Sequence, residues 1–298
     1  MARSAEHTAR HEVHVDAAPD HVFDLLADLD QWPRLFRPFV LVESLGGRDG
    51  VERVGMWATF DDAIEHWAAF REVDRDHRRL TFRPERPHPP VTAMERTWQV
   101  SPAPAGGSLL TLSHRVTADE DALDGVRAGI EDIAARETAA VRAAAEQDPA
   151  FVVVVVDTVD VPRPPEQVYA YLWQAAKWPD ALAHVESAET RYEAGDAQVV
   201  EVVTREARGG TLTTRLARVG FPHHALAYKH LLLPPLGSSH HASWHIATAP
   251  GGSTVTSRQV AVVDEAGARA VLGDDLTGVR DFVHGELSTK ARLLLGGA

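Results

Sequence analysis

The sequence predicts an α+β protein built from two tandem copies of one domain, each a curved antiparallel sheet wrapped around a long C-terminal helix with an internal cavity. Three observations predict it. Sliding the chain along itself by 146 positions superposes Trp32-Pro33 on Trp178-Pro179 and Trp98 on Trp244, although only seven Trp occur in 298 residues. Between those landmarks each copy alternates apolar and polar residues from one Gly-rich turn to the next, as hairpin strands do. Each copy then closes on apolar residues at helical spacing: Leu123, Val126, Ile130, Ile133 and Val141 in the first, Leu276, Val279, Val283, Leu287, Ala291 and Leu294 in the second. A sheet curled around one amphipathic helix leaves space that the helix cannot fill, so this order of elements predicts a pocket.

Within a copy the elements follow from periodicity and punctuation. Residues 11–16 alternate as a strand, Pro19 takes the first position of a helix, and Val22, Phe23, Leu25, Leu26 and Leu29 give that helix its apolar stripe. Trp32-Pro33 forms a short turn after it. Gly46 to Gly50, Ala105 to Ser108 and Gly251 to Ser253 read as hairpin turns within a meander of about six strands. The repeat continues at Val15/Val161, Pro19/Pro165, Val22/Val168, Leu26/Leu172, Val73/Val219 and Leu80/Leu226 with no gap, which divides the chain into domains 1–147 and 151–298. Ala143 to Ala150 joins them, with Asp148-Pro149 as the breaker.

Composition excludes several function classes. The chain has no Cys, which rules out a disulfide framework, a thiolate metal site and a cysteine nucleophile, and fits a cytoplasmic protein. Its net charge of −13 argues against nucleic acid as a partner. The strongly apolar run Phe151 to Val156 is far shorter than the ~20 residues of a membrane helix and reads as a buried strand, so no membrane is predicted. The start, Met1 to His7, has no apolar core of a signal peptide.

No phosphate-binding loop, dinucleotide fingerprint or nucleophile elbow is present, so no cofactor is predicted. No metal is predicted either. The adjacent pairs His223-His224 and His240-His241 point to opposite faces of a strand and cannot chelate one ion. Strand parity instead selects polar groups that turn inward. Trp67, Ala69, Arg71 and Val73 share one face, Met94 and Trp98 another, and Leu112, His114 and Val116 a third; in the second copy the corresponding residues are His240 with Trp244, then Thr256, Arg258 and Val260. At the 146 offset Arg71 falls on Ala217, with Arg215 one inward position earlier. Trp32 and Trp178 either plug the core or touch a ligand.

Taken together, Val22-Phe23-Asp24-Leu25-Leu26, Gln31-Trp32-Pro33-Arg34-Leu35-Phe36, Trp67-x-x-x-Arg71, Phe82-Arg83-Pro84-Glu85, Met94-x-x-x-Trp98 and Ser113-His114-Arg115-Val116 resemble the aromatase/cyclases of bacterial type II polyketide synthases. The tandem arrangement resembles their di-domain class. That resemblance implies a START-like helix-grip fold and a cofactor-independent cyclase/dehydratase. Its substrate would be an acyl-carrier-bound poly-β-ketone, closed between carbons seven and twelve and aromatised by loss of water. It also implies other type II polyketide synthase subunits as partners. Arg71, Arg83, His114, Arg215, His240 and Arg258 are the implied catalytic groups, and Trp32, Phe36, Trp67, Met94, Trp98, Trp178 and Trp244 the substrate-binding walls. Two other readings stand beside it: a non-catalytic carrier of a hydrophobic small molecule, and an interaction module with filled pockets.

Overall fold

The protein is described by a computed structural model that covers residues 3–61, 63–206 and 209–296. The first repeat runs β1 (Ser4–Val15), α1 (Pro19–Ala27), α2 (Trp32–Leu35), β2 (Phe39–Arg48), β3 (Val51–Phe60), β4 (Ala63–Asp74), β5 (Arg79–Pro84), β6 (Val91–Pro102), β7 (Ser108–Asp119) and α3 (Leu123–Ala145). The second runs β8 (Val152–Val161), α4 (Pro165–Trp173), α5 (Trp178–Ala181), β9 (Val185–Ala194), β10 (Ala197–Arg205), β11 (Thr211–Phe221), β12 (Ala225–Leu232), β13 (Gly237–Ala249), β14 (Gly252–Val263), α6 (Glu265–Leu272) and α7 (Val279–Gly296). Helix α6 has no counterpart in the first repeat. It starts on Asp264, whose carboxylate accepts from the Gly267 amide at 2.8 Å, and stops at Gly273.

Each repeat folds its seven strands into one sheet, ordered β1-β7-β6-β5-β4-β3-β2 and β8-β14-β13-β12-β11-β10-β9. The first strand of each repeat therefore closes against the last, and the remaining strands form a meander. Two compact units result, Met1–Trp57 with His66–Gln147 and Ala58–Glu65 with Asp148–Ala298.

The apolar stripe of α1 is buried at Val22, Phe23, Leu25, Leu26 and Ala27, and α3 turns Ile130, Ala134, Thr138, Val141 and Ala145 inward. The W-P turns follow from an unsatisfied helix end. Trp32 Nε1 donates to the Leu26 carbonyl at 3.0 Å and Trp178 Nε1 to the Tyr171 carbonyl at 3.1 Å, so each indole caps the end of the preceding helix while its ring enters the core.

Register corrects the gapless repeat. Val73 pairs with Leu80 and Gly220 with Leu226, so the hairpin between β11 and β12 is one residue shorter than that between β4 and β5. Pro102 pairs with Ser108 and Thr248 with Ser253, a second hairpin shortened by one. Side chains alternate with period two, so each deletion moves the other set of residues inward on one strand. The two serines check the new alignment: Ser108 Oγ donates to Ala17 O at 2.6 Å and Ser253 Oγ to Arg163 O at 2.7 Å.

Candidate active site

With the register corrected, one row of cross-strand partners can be followed through both sheets. In the first repeat Arg71 pairs with Phe82, Phe82 with Arg96, Arg96 with His114, and His114 with Ala9. In the second, Gln198 pairs with Arg218, then come Tyr228, Ala242, Gln259 and Val155. Arg71 thus corresponds to Arg218, not to Ala217 or Arg215, and His114 to Gln259, not to Arg258.

The two arginines do the same structural work. Arg71 is 4% exposed, and its Nη2 donates to Ala27 O, the last carbonyl of α1. Arg218 is 1% exposed and donates to Leu172 O and, at 3.2 Å, to Trp173 O at the end of α4. A guanidinium buried at a helix C-terminus satisfies orphan carbonyls and meets the negative end of the dipole. Arg218 lies 5.4 Å from the ring of Trp173 and 5.2 Å from that of Trp178, and burial lowers its pKa to about 10. It remains charged at neutral pH.

The interiors then diverge. In the first repeat Arg96 reaches inward and forms an ion pair with Glu137 of α3, 5.1 Å from the Trp98 ring. Trp32 meets Phe36, Phe39 and Phe82 at centroid distances of 5.1, 5.4 and 4.9 Å, and Phe36 stacks on Trp98 at 6.1 Å. Trp67 joins this cluster through Phe39, and Met94 packs with Ala9, Val116 and Ile130. His114 is buried with its Nδ1 lacking a hydrogen-bond partner; burial, then Arg96 and His11, lower its pKa to about 3.

In the second repeat smaller side chains stand at three of these positions. Ala242 stands for Arg96, Leu182 for Phe36 and Val185 for Phe39, and a cavity of about 420 Å³ lies between the sheet and α7. Its walls are largely apolar, from Leu172, Trp178, Val202, Leu226, Trp244 and Leu294. Polar groups converge on one side: Tyr228, His230, His240, Arg218 and Gln259. The His230 and His240 rings stack at 4.6 Å, and Tyr228 meets them edge-on at 5.8 and 5.7 Å. Tyr228 donates to Gln259 Oε1 at 3.5 Å, and Gln259 Nε2 donates to Leu287 O of α7 at 3.2 Å, which ties the cluster to the helix.

Burial sets the protonation states. It pushes Tyr228 up to about 12, His230 down to about 4, and His240 well below its ordinary value, the last helped by the neighbouring His230 and His241. At neutral pH this cluster thus presents a protonated phenol, two neutral imidazoles and the Arg218 guanidinium, while Arg205, Glu206, Glu286 and Lys290 also line the cavity. His230 Nδ1 lies 3.4 Å from the Leu232 carbonyl, a contact that makes Nδ1 the donor and leaves Nε2 a lone pair.

Three of the arginines expected in a cavity are elsewhere. Arg83 stands beside the buried Phe82 on the outer face, bound to Glu72 and, at 2.9 Å, to Glu95. Arg215 is three residues from Arg218 on one strand and so points to the opposite face, away from the set Leu212, Thr214, Leu216 and Arg218 that lines the cavity, and it pairs with Glu201 at 2.9 Å. Arg258 is half-buried between the buried Ser257 and Gln259 and is not part of the cavity wall. Among the described residues no group of three His, Asp or Glu side chains could hold a metal ion, and no helix is long and apolar enough to cross a membrane.

Comparison with known proteins decides the family. The family described as polyketide cyclase / dehydrase and lipid transport matches the chain twice, over residues 6–146 and 152–290. This chain belongs to that family. Among curated members, it is 34% identical to the granaticin polyketide synthase bifunctional cyclase/dehydratase of Streptomyces violaceoruber, over 91% of this chain and 86% of the relative. It is 33% identical to the actinorhodin polyketide synthase bifunctional cyclase/dehydratase of Streptomyces coelicolor, over 93% of this chain and 90% of the relative. Of solved structures, the di-domain aromatase/cyclase BexL of the BE-7585A pathway superposes with a TM-score of 0.91 at 34% identity, covering 98% of this chain and 97% of that one. StfQ of the steffimycin pathway, also di-domain, gives 0.85 at 25% identity over 98% and 96%. With these relatives, the chain is a polyketide cyclase/dehydratase-type enzyme in two helix-grip domains.

Sequence reasoning missed Arg218, Tyr228, His230 and Gln259. A signal was present: the 146 offset already sets Phe82 on Tyr228, one extra residue before β11 that the shortened β11–β12 hairpin takes back sets Arg71 on Arg218, and one gap at the second shortened hairpin sets His114 on Gln259.

Proposed function

We propose that this cyclase/dehydratase closes the first ring of an acyl-carrier-bound poly-β-ketone, between carbons seven and twelve, and aromatises it by loss of water, with the chemistry in the second repeat. The observation that carries this reading is the convergence of Tyr228, His230, His240 and Arg218 on one wall of an apolar cavity. A volume of about 420 Å³ suits a folded ketide chain. Aldol closure and dehydration are redox-neutral and call for proton transfer alone, which is consistent with a cofactor-independent site. Methylene protons between two carbonyls are acidic enough for a neutral imidazole to accept, and His240 or His230 Nε2 takes that role. Arg218 stabilises the enolate. Tyr228, protonated throughout the neutral range, donates its proton to the new alkoxide and regains one from the imidazolium formed in the first step; it then donates to the departing hydroxyl as the regenerated imidazole takes the second α-proton.

The alternative of a passive carrier is served equally well by apolar walls and gains nothing from a buried phenol, two imidazoles and a guanidinium on one side of them. Partnership with the other subunits of a type II polyketide synthase is part of the proposal, since the granaticin and actinorhodin relatives are named as components of such synthases. The test is product analysis of a minimal synthase, with and without its ketoreductase, on adding this protein. A ring closed between carbons seven and twelve and aromatised only in its presence supports the proposal; an unchanged shunt profile rejects it.

A further inference from the structure

The arginines that cap the first helix of each repeat differ in one partner. Arg71 Nη1 lies 3.4 Å from Glu52 Oε2, so its charge is matched by a carboxylate. The position of Glu52 is occupied in the second repeat by Gln198, the direct cross-strand partner of Arg218, whose Oε1 accepts from Arg218 Nη1 at 2.6 Å. All three acceptors of Arg218 are therefore neutral: the Leu172 and Trp173 carbonyls and the Gln198 amide. Glu193, the acid that bears on it electrostatically, lies on exposed β9 and accepts from Trp173 Nε1 at 3.3 Å. None of the described carboxylates forms an ion pair with Arg218, and this arginine lines the cavity; the other two cations of the lining are paired, Arg205 with Glu186 at 3.4 Å and Lys290 with Glu286 at 3.9 Å, and Glu206 completes its charged residues.

A buried cation without a counter-ion is costly, and a chain that keeps one beside a cavity has a use for the charge there. The first repeat shows that this architecture accepts a Glu at the same position, so the uncompensated state is not forced by the fold. We propose that Gln198 is a specificity-determining residue: by withholding a counter-ion from Arg218 it makes the second cavity select ligands as enolates, the delocalised anions of β-dicarbonyl compounds, over neutral ketones of the same shape. This rests on the cavity being the substrate site. The first repeat, with Glu52 supplying the negative charge internally, has no such preference to give.

The test uses the full chain and two matched probes: octanoyldimedone, an acylated cyclic β-diketone that is an enolate at neutral pH, and its methyl enol ether, the same skeleton without charge. Affinities are measured by calorimetry for wild type, Gln198→Glu, Gln198→Met and Glu52→Gln, with circular dichroism to check folding. Wild type binds the enolate at least about tenfold more tightly than the ether. Gln198→Glu removes that preference and leaves the ether within about twofold; Gln198→Met, which adds no charge, keeps it, as does Glu52→Gln. A folded Gln198→Glu that still prefers the enolate overturns the inference. So does a wild type that binds both probes equally, which leaves the cavity as substrate site intact. If neither probe binds, the cavity reading itself falls.

Discussion

The two repeats carry one backbone plan to differently lined interiors. Along the same cross-strand row the first repeat sets Phe82, Arg96 and His114, and the second sets Tyr228, Ala242 and Gln259. Arg96 extends to Glu137 on the helix, and the aromatic rings of Trp32, Phe36, Phe39, Phe82 and Trp98 pack together beside it. Ala242 in place of Arg96, and Leu182 and Val185 in place of two phenyl rings, leave less side-chain volume in the second interior. The fold thus supplies the grip, and a handful of side chains shape what it encloses.

The largest expected effect comes from refilling the cavity. Ala242→Arg reproduces the first repeat's side chain, and Ala242→Met fills the same space without charge; both should abolish cyclised product and probe binding while the circular dichroism spectrum stays native. Activity retained in both variants would move the chemistry away from this cavity.

The converse experiment removes the inward arginine from the first repeat. Arg96→Ala leaves Glu137 buried without its partner and should cost about 3–5 kcal/mol in urea unfolding. Arg96→Ala with Glu137→Ala should recover much of that, because no charge is then left stranded. An equally large loss in the double variant would show that packing, not charge, holds the first interior.

Next in size is the phenol. Tyr228→Phe copies Phe82 of the first repeat and keeps the ring contacts with His230 and His240. Loss of the donor should slow formation of the aromatised product about 10²-fold with substrate affinity little changed. An unaltered rate would transfer the donor role to another group in the cavity.

Both interiors hold neutral histidines, and this gives a pH dependence of known sign. Folding keeps His114 near 3 and His230 near 4, against an ordinary 6.5. Above about pH 6.5 neither the folded nor the unfolded chain binds these protons. As the pH falls from there toward 4, the unfolded chain takes them up and the folded chain does not, so stability is lost across that window. His114→Gln, the residue the second repeat uses in the same row, should flatten the decline by up to about 1.4 kcal/mol per pH unit, read from urea midpoints. A slope identical to wild type would mean that His114 titrates normally in the folded protein.

Much of this was legible in the sequence. The repeat, the order of elements and the W-P turns follow from landmark residues and periodicity. Parity placed Arg71 beside Ala69 on a buried face because β4 lies before the first shortened hairpin. It failed on β11, which sits one residue later than the 146 offset until the shortened hairpin restores it, and on β14, which follows the second shortened hairpin, because a one-residue shift exchanges the faces of a strand. Arg218 and Gln259 were hidden for that reason alone. Tyr228 and His230 were overlooked for another: parity tells which residues share a face, and the volume left empty beside them depends on Ala242, Leu182 and Val185 acting together.

The smallest expected effect is also the sharpest contrast between the outer faces. Arg83 and Lys229 occupy the same position, each next in sequence to the inward ring of Phe82 or Tyr228, so both side chains leave on the face away from the helix. There the environments part. The Arg83 side chain is 45% exposed and held by Glu72 and Glu95, whereas Lys229 is only 5% exposed. A solvated ion pair is screened and contributes about 0–1 kcal/mol, whereas a buried ammonium is tied to its surroundings and costs more to remove. Arg83→Ala should therefore shift the unfolding free energy by no more than about 1 kcal/mol and leave the ratio of aromatised to shunt product unchanged. Lys229→Ala should shift stability more than Arg83→Ala does. A changed product ratio in Arg83→Ala would bring its guanidinium into the chemistry despite its place on the outer face, and would mean that substrate also meets the first repeat from outside.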